Sequence, residues 1–303
     1  MDFTVILTQV LILFIILFVG FLAGRSGIID SIASKKLSEL LMYVTAPMLV
    51  LNGFFIEFTK ERLIMLLWLI GFSIIMFALT IFLAKLIYMK FPDNVNPVLQ
   101  FTAIFSNCGY MGIPMMKALY GEEGVFYGSF YLVIFNILLW SYGFVLFGGK
   151  GSKWQVTKKI LTNPTFIAVY IGLVVFFLGI KLPKAVTGAV SAMGDMTMPL
   201  SMLIIGAVMS TVRFDKIFTD WRAYLSSFVR LVLMPLAAVL LAKLLRVPEL
   251  PAAIVVTALT MPSAAATTIF AEMYDKDSAF ASKCVSISTL FSIITAPLIL
   301  FLL

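Results

Sequence analysis

A chain of 303 residues that is 62% hydrophobic and 12% charged carries about half the charge of a soluble globular domain, roughly 25%, which excludes water as its main solvent. Its 22 Lys and Arg outnumber 15 Asp and Glu, but they are scattered through short gaps, which points to membrane topology rather than to a nucleic-acid footprint. Histidine is absent and the two cysteines, Cys108 and Cys284, lie in apolar runs, so a histidine-based metal or acid–base centre and a disulfide framework are not expected.

A membrane-spanning helix needs about 20 mostly apolar residues, and runs of that length follow one another along the chain. The first, Val5–Gly24, is preceded by Asp2 and no basic segment, and it exceeds the apolar core of a signal peptide, so it is expected to remain as helix 1. Further runs cover 33–55, 63–89, 96–118 and 124–148, then 164–181, 186–211, 221–245, 250–272 and 278–302. The expected fold is all-α and integral to the membrane, with ten transmembrane helices. Two domains, 1–150 and 164–303, are joined by a basic cytoplasmic linker at 151–163. With the N-terminus outside, thirteen Lys and Arg fall in inside loops and seven in outside loops, so both termini are expected on the outer side of a cell membrane.

A weak internal repeat runs through these elements. Thr45-Ala46-Pro47-Met48 recurs as Thr197-Met198-Pro199-Leu200, Tyr120-Gly121-Glu122-Glu123 as Tyr274-Asp275-Lys276-Asp277, and Phe58-Thr59-Lys60 as Phe214-Asp215-Lys216, at offsets of 152, 154 and 156. Three matches in order imply two five-helix halves. Five is odd, so the second half must enter the membrane inverted.

Spans 4 and 9 are the unusual ones. Span 4 carries Ser106-Asn107-Cys108-Gly109-Tyr110-Met111-Gly112-Ile113-Pro114, and span 9 carries Thr260-Met261-Pro262-Ser263-Ala264-Ala265-Ala266. Proline removes a backbone donor and glycine lowers helix propensity, so breaks are expected near Gly109–Pro114 and Met261–Ala264. Matched interruptions in two repeats mark a midplane binding site. Half-helices starting there would present free N–H groups and a positive dipole end to an anion. The alternative is that the prolines only kink the helices for packing.

At the span 4 motif the chain resembles the auxin efflux carrier family, whose members carry Asn-x-x-x-Met-Gly-[Ile/Leu]-Pro, here Asn107, Met111, Gly112, Ile113 and Pro114. The resemblance continues through Lys117-Ala118-Leu119-Tyr120-Gly121, Asn163-Pro164, Asp195 eleven residues before Gly206, Arg230 five before Pro235, and Pro262. It implies a sodium/proton antiporter and bile-acid-symporter-like fold, ten helices in two inverted repeats with helices 4 and 9 broken and crossing. It further implies a secondary transporter that moves a small organic anion, a carboxylate, by an elevator exchange between a scaffold and a mobile domain. The substrate site so implied comprises Asn107, Cys108, Gly109, Tyr110, Gly112, Pro114, Pro262, Ser263, Ala264 and Thr165, the last standing where large plant carriers have a second substrate-contacting asparagine. The long cytosolic loop of those carriers is missing, which points away from plant auxin as the substrate. Expected partners are the anion and the lipid bilayer, with a homodimer left open; no nucleic acid, cofactor or metal is expected.

Charges inside spans are costly and read as functional by default. Asp195 is a candidate for proton or sodium coupling. Arg230 is either a counter-ion to Asp195 or to helix-end carbonyls, or a direct substrate contact. Lys283 either snorkels to the interface or supplies a fixed positive charge beside the crossover, making sodium unnecessary. Asn52 and Asn136 are read as interhelical hydrogen-bond groups. A channel remains a competing reading, whereas an intramembrane aspartyl protease would need a second mid-span carboxylate beside Asp195.

Overall fold

The computed structural model describes residues 3–149, 161–211 and 219–303, and among these every regular element is helical. The first part holds α1 (Phe3–Arg25), α2 (Ser31–Leu40), a π-helical turn Leu41–Thr45, α3 (Ala46–Gly53), α4 (Lys60–Tyr88), α5 (Asn96–Ile104), a π turn Cys108–Gly112, α6 (Ile113–Leu138) and α7 (Phe144–Leu146). The second holds α8 (Pro164–Leu178), α9 (Lys184–Asp195), α10 (Thr197–Ser210), α11 (Trp221–Phe228), a π turn Val229–Leu233, α12 (Met234–Leu244), α13 (Glu249–Thr260), α14 (Ala266–Met273) and α15 (Ser278–Leu300). Linker residues 151–160 and the Phe214-Asp215-Lys216 member of one repeat match lie outside the described residues.

Helix starts follow local capping chemistry. Side chains of Asp30, Thr59, Asn163, Asp220 and Asp277 accept from the first-turn N–H groups of α2, α4, α8, α11 and α15, which would otherwise go unbonded. Among the described residues, six helical runs are long and apolar enough to cross a membrane: Thr4–Arg25, Lys60–Tyr88, Cys108–Leu146, Lys184–Ser210, Trp221–Leu244 and Ser278–Leu300. Pro164–Leu178 and Glu249–Thr260 are apolar but shorter. Ile15, Phe18, Leu67 and Phe82 face outward on these runs, as lipid-facing side chains do, and the chain is a multi-pass membrane protein.

The 39-residue run Cys108–Leu146 is not one straight helix. Gly121 has φ 63° and ψ −146°, a conformation glycine adopts without Cβ penalty, and the chain folds back on itself there. A Cβ at Gly124 would lie 2.1 Å from Met116 O, and one at Gly128 would lie 2.5 Å from Met116 Sδ. The repeat-matched position, Asp275, also has positive φ, at 51°.

The closest helix contact is between α1 and α10. A Cβ on Gly20 would lie 2.4 Å from Leu203 O, on Gly24 2.3 Å from Ser210 Oγ, and on Gly206 1.9 Å from Leu17 O. Small residues at four-residue spacing on both helices bring the backbones together, the usual basis of helix association where lipid removes the hydrophobic drive. The main buried core lies among α3–α6, α8 and α11–α15, while a second, methionine-rich cluster (Val10, Leu13, Leu17, Met111, Met115, Met202, Met209, Met261 and Ala296) joins α1 and α10 to the 108–115 and 261 segments.

Gly206→Ala is expected to lower stability by about 1–3 kcal/mol through overpacking of this seam, read as a lower unfolding temperature in detergent. Gly188→Ala, with open space around its Cβ and inside α9, is the control and should be unchanged or up to about 1 kcal/mol more stable through helix propensity. Equal stability of the two variants would show that the seam is slack.

Candidate functional site at a pair of broken helices

α5 ends at Ile104 and α13 at Thr260; the residues that follow are extended, with Phe105 at φ −102°, ψ 111° and Met261 at φ −68°, ψ 147°. The two extended pieces pair in an isolated antiparallel bridge between Ser106 and Ser263. Asn107 N–H donates to Pro262 O at 2.7 Å, and Ala264 N–H donates to Phe105 O at 2.9 Å. Ser263 N–H donates to Ser288 Oγ of α15 at 3.1 Å, while Ser263 Oγ donates to Thr102 O at 3.3 Å. The first break therefore falls at 105–107, not at Gly109–Pro114. Pro114 sits in the first turn of α6, where no N–H is needed, and Gly109 and Gly112 are absorbed by the π turn, whose Met111 and Gly112 N–H groups both donate to Asn107 O.

Arg230 closes the arrangement. It is fully buried, at 0% exposure, and projects from the π turn Val229–Leu233 just before Pro235. Nη1 donates to Ala103 O at 2.8 Å and Ile104 O at 3.3 Å; Nη2 donates to Leu259 O at 2.8 Å and Ala258 O at 3.5 Å; Nε donates to Met261 O at 3.2 Å. The guanidinium thus bonds the carbonyl ends of both α5 and α13, where helix dipoles are negative. Of the alternatives for this residue, helix-end carbonyls are its partners, and Asp195 pairs elsewhere.

The expected site residues separate by accessibility. Cys108, Pro114, Pro262, Ser263 and Ala264 are buried, whereas Gly109 and Tyr110 are half-buried. Gly112 is buried, with a Cβ there 3.2 Å from Cys108 Cβ. Asn107 is 8% exposed and its side-chain amide bonds no group among the described residues. In the first turns that follow, Met111 and Gly112 N–H donate to Asn107 O, and Thr267 and Thr268 N–H donate to Ala264 O and Ala265 O, so that only the N–H groups ahead of these lack intrahelical partners by position. Thr165 is elsewhere: its N–H bonds Asn163 Oδ1 at 2.9 Å, and its helix packs on α3 and the 41–45 turn. Lys283, half-buried, lies near Asp220, whose carboxyl is held below the usual carboxylate range by hydrogen bonds from Arg222 first and by the charge of Lys283 last.

The sequence profile of the membrane transport protein family matches residues 5–159 and 152–300. The chain belongs to this auxin efflux carrier-type transport family. A protein named as an uncharacterised transporter in Methanocaldococcus jannaschii is 24% identical over 301 residues, covering 95% of this chain and 96% of the relative. One named likewise in Methanothermobacter thermautotrophicus is 28% identical over 204 residues, 66% of each chain. The family and these names indicate a transporter rather than an enzyme.

In this family member, sequence reasoning missed a second polar cluster. Lys117 Nζ pairs with Asp195 Oδ1, and with Glu122 Oε1 at 3.4 Å. Asn52 Nδ2 donates to Glu122 Oε2 at 2.9 Å. Asn52 is therefore the interhelical group expected, whereas Asn136 donates to Leu132 O within its own helix. Lys117 was visible only as a loop charge, because its partner is 78 positions away.

Arg230→Met should cost about 3–5 kcal/mol of stability, because it strands carbonyls at two buried helix ends, each costing about 1–3 kcal/mol without a donor, and Arg230→Lys should recover only part, since an ammonium has three donors where the guanidinium has five. Thermal unfolding in detergent reads both. A stable Arg230→Met protein would show that the carbonyls need no cation.

Proposed function

We propose that this chain is a secondary transporter for a small organic anion, a carboxylate, bound at the crossing of the two broken helices. The observation that carries the reading is the charge arrangement there. Among the described residues no carboxylate pairs with Arg230 and no group bonds the Asn107 amide, and the 108–112 turn and α14 both begin directly after the paired segments. An anion arriving at Asn107 meets two positive helix ends and, behind them, a cation whose charge only carbonyl dipoles offset. Arg230, rather than Lys283, is then the fixed cation, and transport proceeds without sodium.

The fuller architecture belongs to the same proposal: ten spans in two inverted five-helix repeats within the cell membrane, both termini outside. Three sequence matches, the positive φ at both Gly121 and Asp275, and the pairing of two matched breaks support it. An elevator-type exchange is supported by the contrast between the glycine seam of α1 with α10 and the methionine-rich cluster in which this pair meets Met111, Met115 and Met261. Methionine is unbranched and adapts to more than one packing partner, which suits a sliding surface. The Lys117–Asp195 pair and the Asn52–Glu122 bond would break in that slide.

A thermal-shift screen against mono- and dicarboxylates, with sodium or potassium, should give a carboxylate hit that is indifferent to the cation, since bound ligand stabilises in proportion to occupancy. Asn107→Ala should weaken that ligand about 10- to 100-fold, the loss of a hydrogen bond to a charged group, while staying folded. Unchanged affinity would remove Asn107 from the site. In liposomes, Lys117→Cys with Asp195→Cys, joined by a short thiol cross-linker, should stop labelled-substrate counterflow until reduced. Full counterflow in the cross-linked protein would show that these two positions do not separate during transport.

A further inference from the structure

The Thr-x-Pro pair that marks the repeat, Thr45-Ala46-Pro47 and Thr197-Met198-Pro199, takes no part in the crossover. Thr45 is 0% and Thr197 1% exposed, and the hydroxyl of each is buried without a hydrogen-bond partner among the described residues. A buried unpaired hydroxyl is costly. Elsewhere in the chain, Thr80, Thr102, Ser201 and Ser210 return theirs to a carbonyl of the preceding turn. Two orphans at repeat-related positions call for a shared explanation.

Packing brings them to one place. α9 packs on α3 and α10 on α2, with the 41–45 turn touching both α9 and α10. The earlier half of each segment meets the later half of the other, so the two cross antiparallel. Gly194 sets the register, since a Cβ there would lie 2.9 Å from Leu49 Cα. Thr197 is three residues after Gly194 and Thr45 is four before Leu49, spacings that keep a side chain on the same helix face. Steps forward on one segment and backward on the other run in the same direction, so both threonines lie at the crossing on the faces turned toward each other. Pro47 and Pro199 withhold the N–H that would close the preceding turn. The Asp195 carbonyl thereby loses its α-helical donor, and the first segment has widened so that Ala46 N–H reaches Leu41 O.

We propose that the Thr45 and Thr197 hydroxyls share one ordered water molecule at this crossing, held also by the carbonyls the prolines release. The site offers donors and acceptors without a formal charge of its own, because the Asp195 carboxylate is engaged by Lys117. That suits a neutral water with two to four polar partners, whereas a cation would enter a low-dielectric site lined by neutral groups only. The water ties segments from the two halves of the chain together and depends on both hydroxyls. This inference does not rest on the identity of the transported anion.

The test is a double-mutant cycle on the intact protein in detergent. Thr45→Val and Thr197→Val should each lower the unfolding temperature by about 2–4 °C, because each leaves the water and its remaining partners short of a bond. The double variant should lose clearly less than the two added together, since water and hydroxyls then leave at once and an apolar pair can pack. Thr45→Ser, which keeps the hydroxyl, should retain the coupling to Thr197→Val. Single variants that raise the unfolding temperature would show a dry site, and additive losses would show two independent hydroxyls; either overturns the proposal. Replacing sodium by choline should leave the wild-type unfolding temperature unchanged. A sodium-dependent shift that disappears in the double valine variant would replace the water by a bound cation.

Discussion

Broken helices in a membrane create a problem that Arg230 solves. Ending α5 and α13 in the protein interior leaves several main-chain carbonyls without donors, each costing several kcal/mol if left bare in hydrocarbon. A guanidinium has five N–H donors in a rigid planar fork, and here all five reach carbonyls, at Ala103, Ile104, Ala258, Leu259 and Met261. Among the described residues no other side chain bonds both helix ends. The same bonds repay the burial of a charge that would be expensive alone, because the negative ends of two helix dipoles converge on it. The backbone ladder between the breaks holds only two bonds, Asn107 to Pro262 and Ala264 to Phe105, so the crossing depends on the arginine for its position as well as its satisfaction.

That arrangement makes the two faces of the bridge unequal. On the side of α5 and α13 the negative dipole ends meet the guanidinium; at the 108–112 turn and α14 the first turns close on Asn107 O, Ala264 O and Ala265 O, with no charged side chain bonded there among the described residues. The N–H and hydroxyl donors of Ser263 are engaged by Ser288 and Thr102, which leaves it no donor for an anion in this arrangement. The Asn107 backbone carries the ladder and the start of the π turn, while its amide bonds no group among the described residues.

How far these features could be read beforehand depended on whether their cause was local. The apolar runs, the capping residues and the paired interruptions are written within a few consecutive positions, and all were legible. The site of the first break was not: Gly109, Gly112 and Pro114 mark where a helix is weak in isolation, but the chain opens at 105–107 because Pro262 and Ala264 are there to pair with it, 150-odd positions on. The partners of Arg230 and of Lys117 were hidden for the same reason, and the eye was drawn to Asp195 and Lys283 as charges rather than to carbonyls, which every residue has. The α1–α10 seam is a different case. Gly20-x-x-x-Gly24 and Gly206-x-x-x-Ser210 are local signals of close helix approach, and weighing them would have found it.

Rigidity and adaptability are distributed unevenly around the crossing. Where α1 meets α10, backbone touches backbone through glycine, a fit that tolerates no added methyl and admits little sliding. Where the same two helices meet the 108–115 and 261 segments, the contact is made by Met111, Met115, Met202, Met209 and Met261, side chains that can repack at low cost. A contact that holds in one arrangement but not another needs a term that favours the first, and dispersion between flexible thioethers gives little preference. The Lys117 cluster supplies a directional one: its ion pairs and the Asn52–Glu122 bond require particular distances between α3, the Asp195 end of α9 and the two sides of the Gly121 turn. Being partly exposed, these bonds are each worth about 1 kcal/mol or less. That is enough to bias the observed arrangement, and too little to prevent it from giving way.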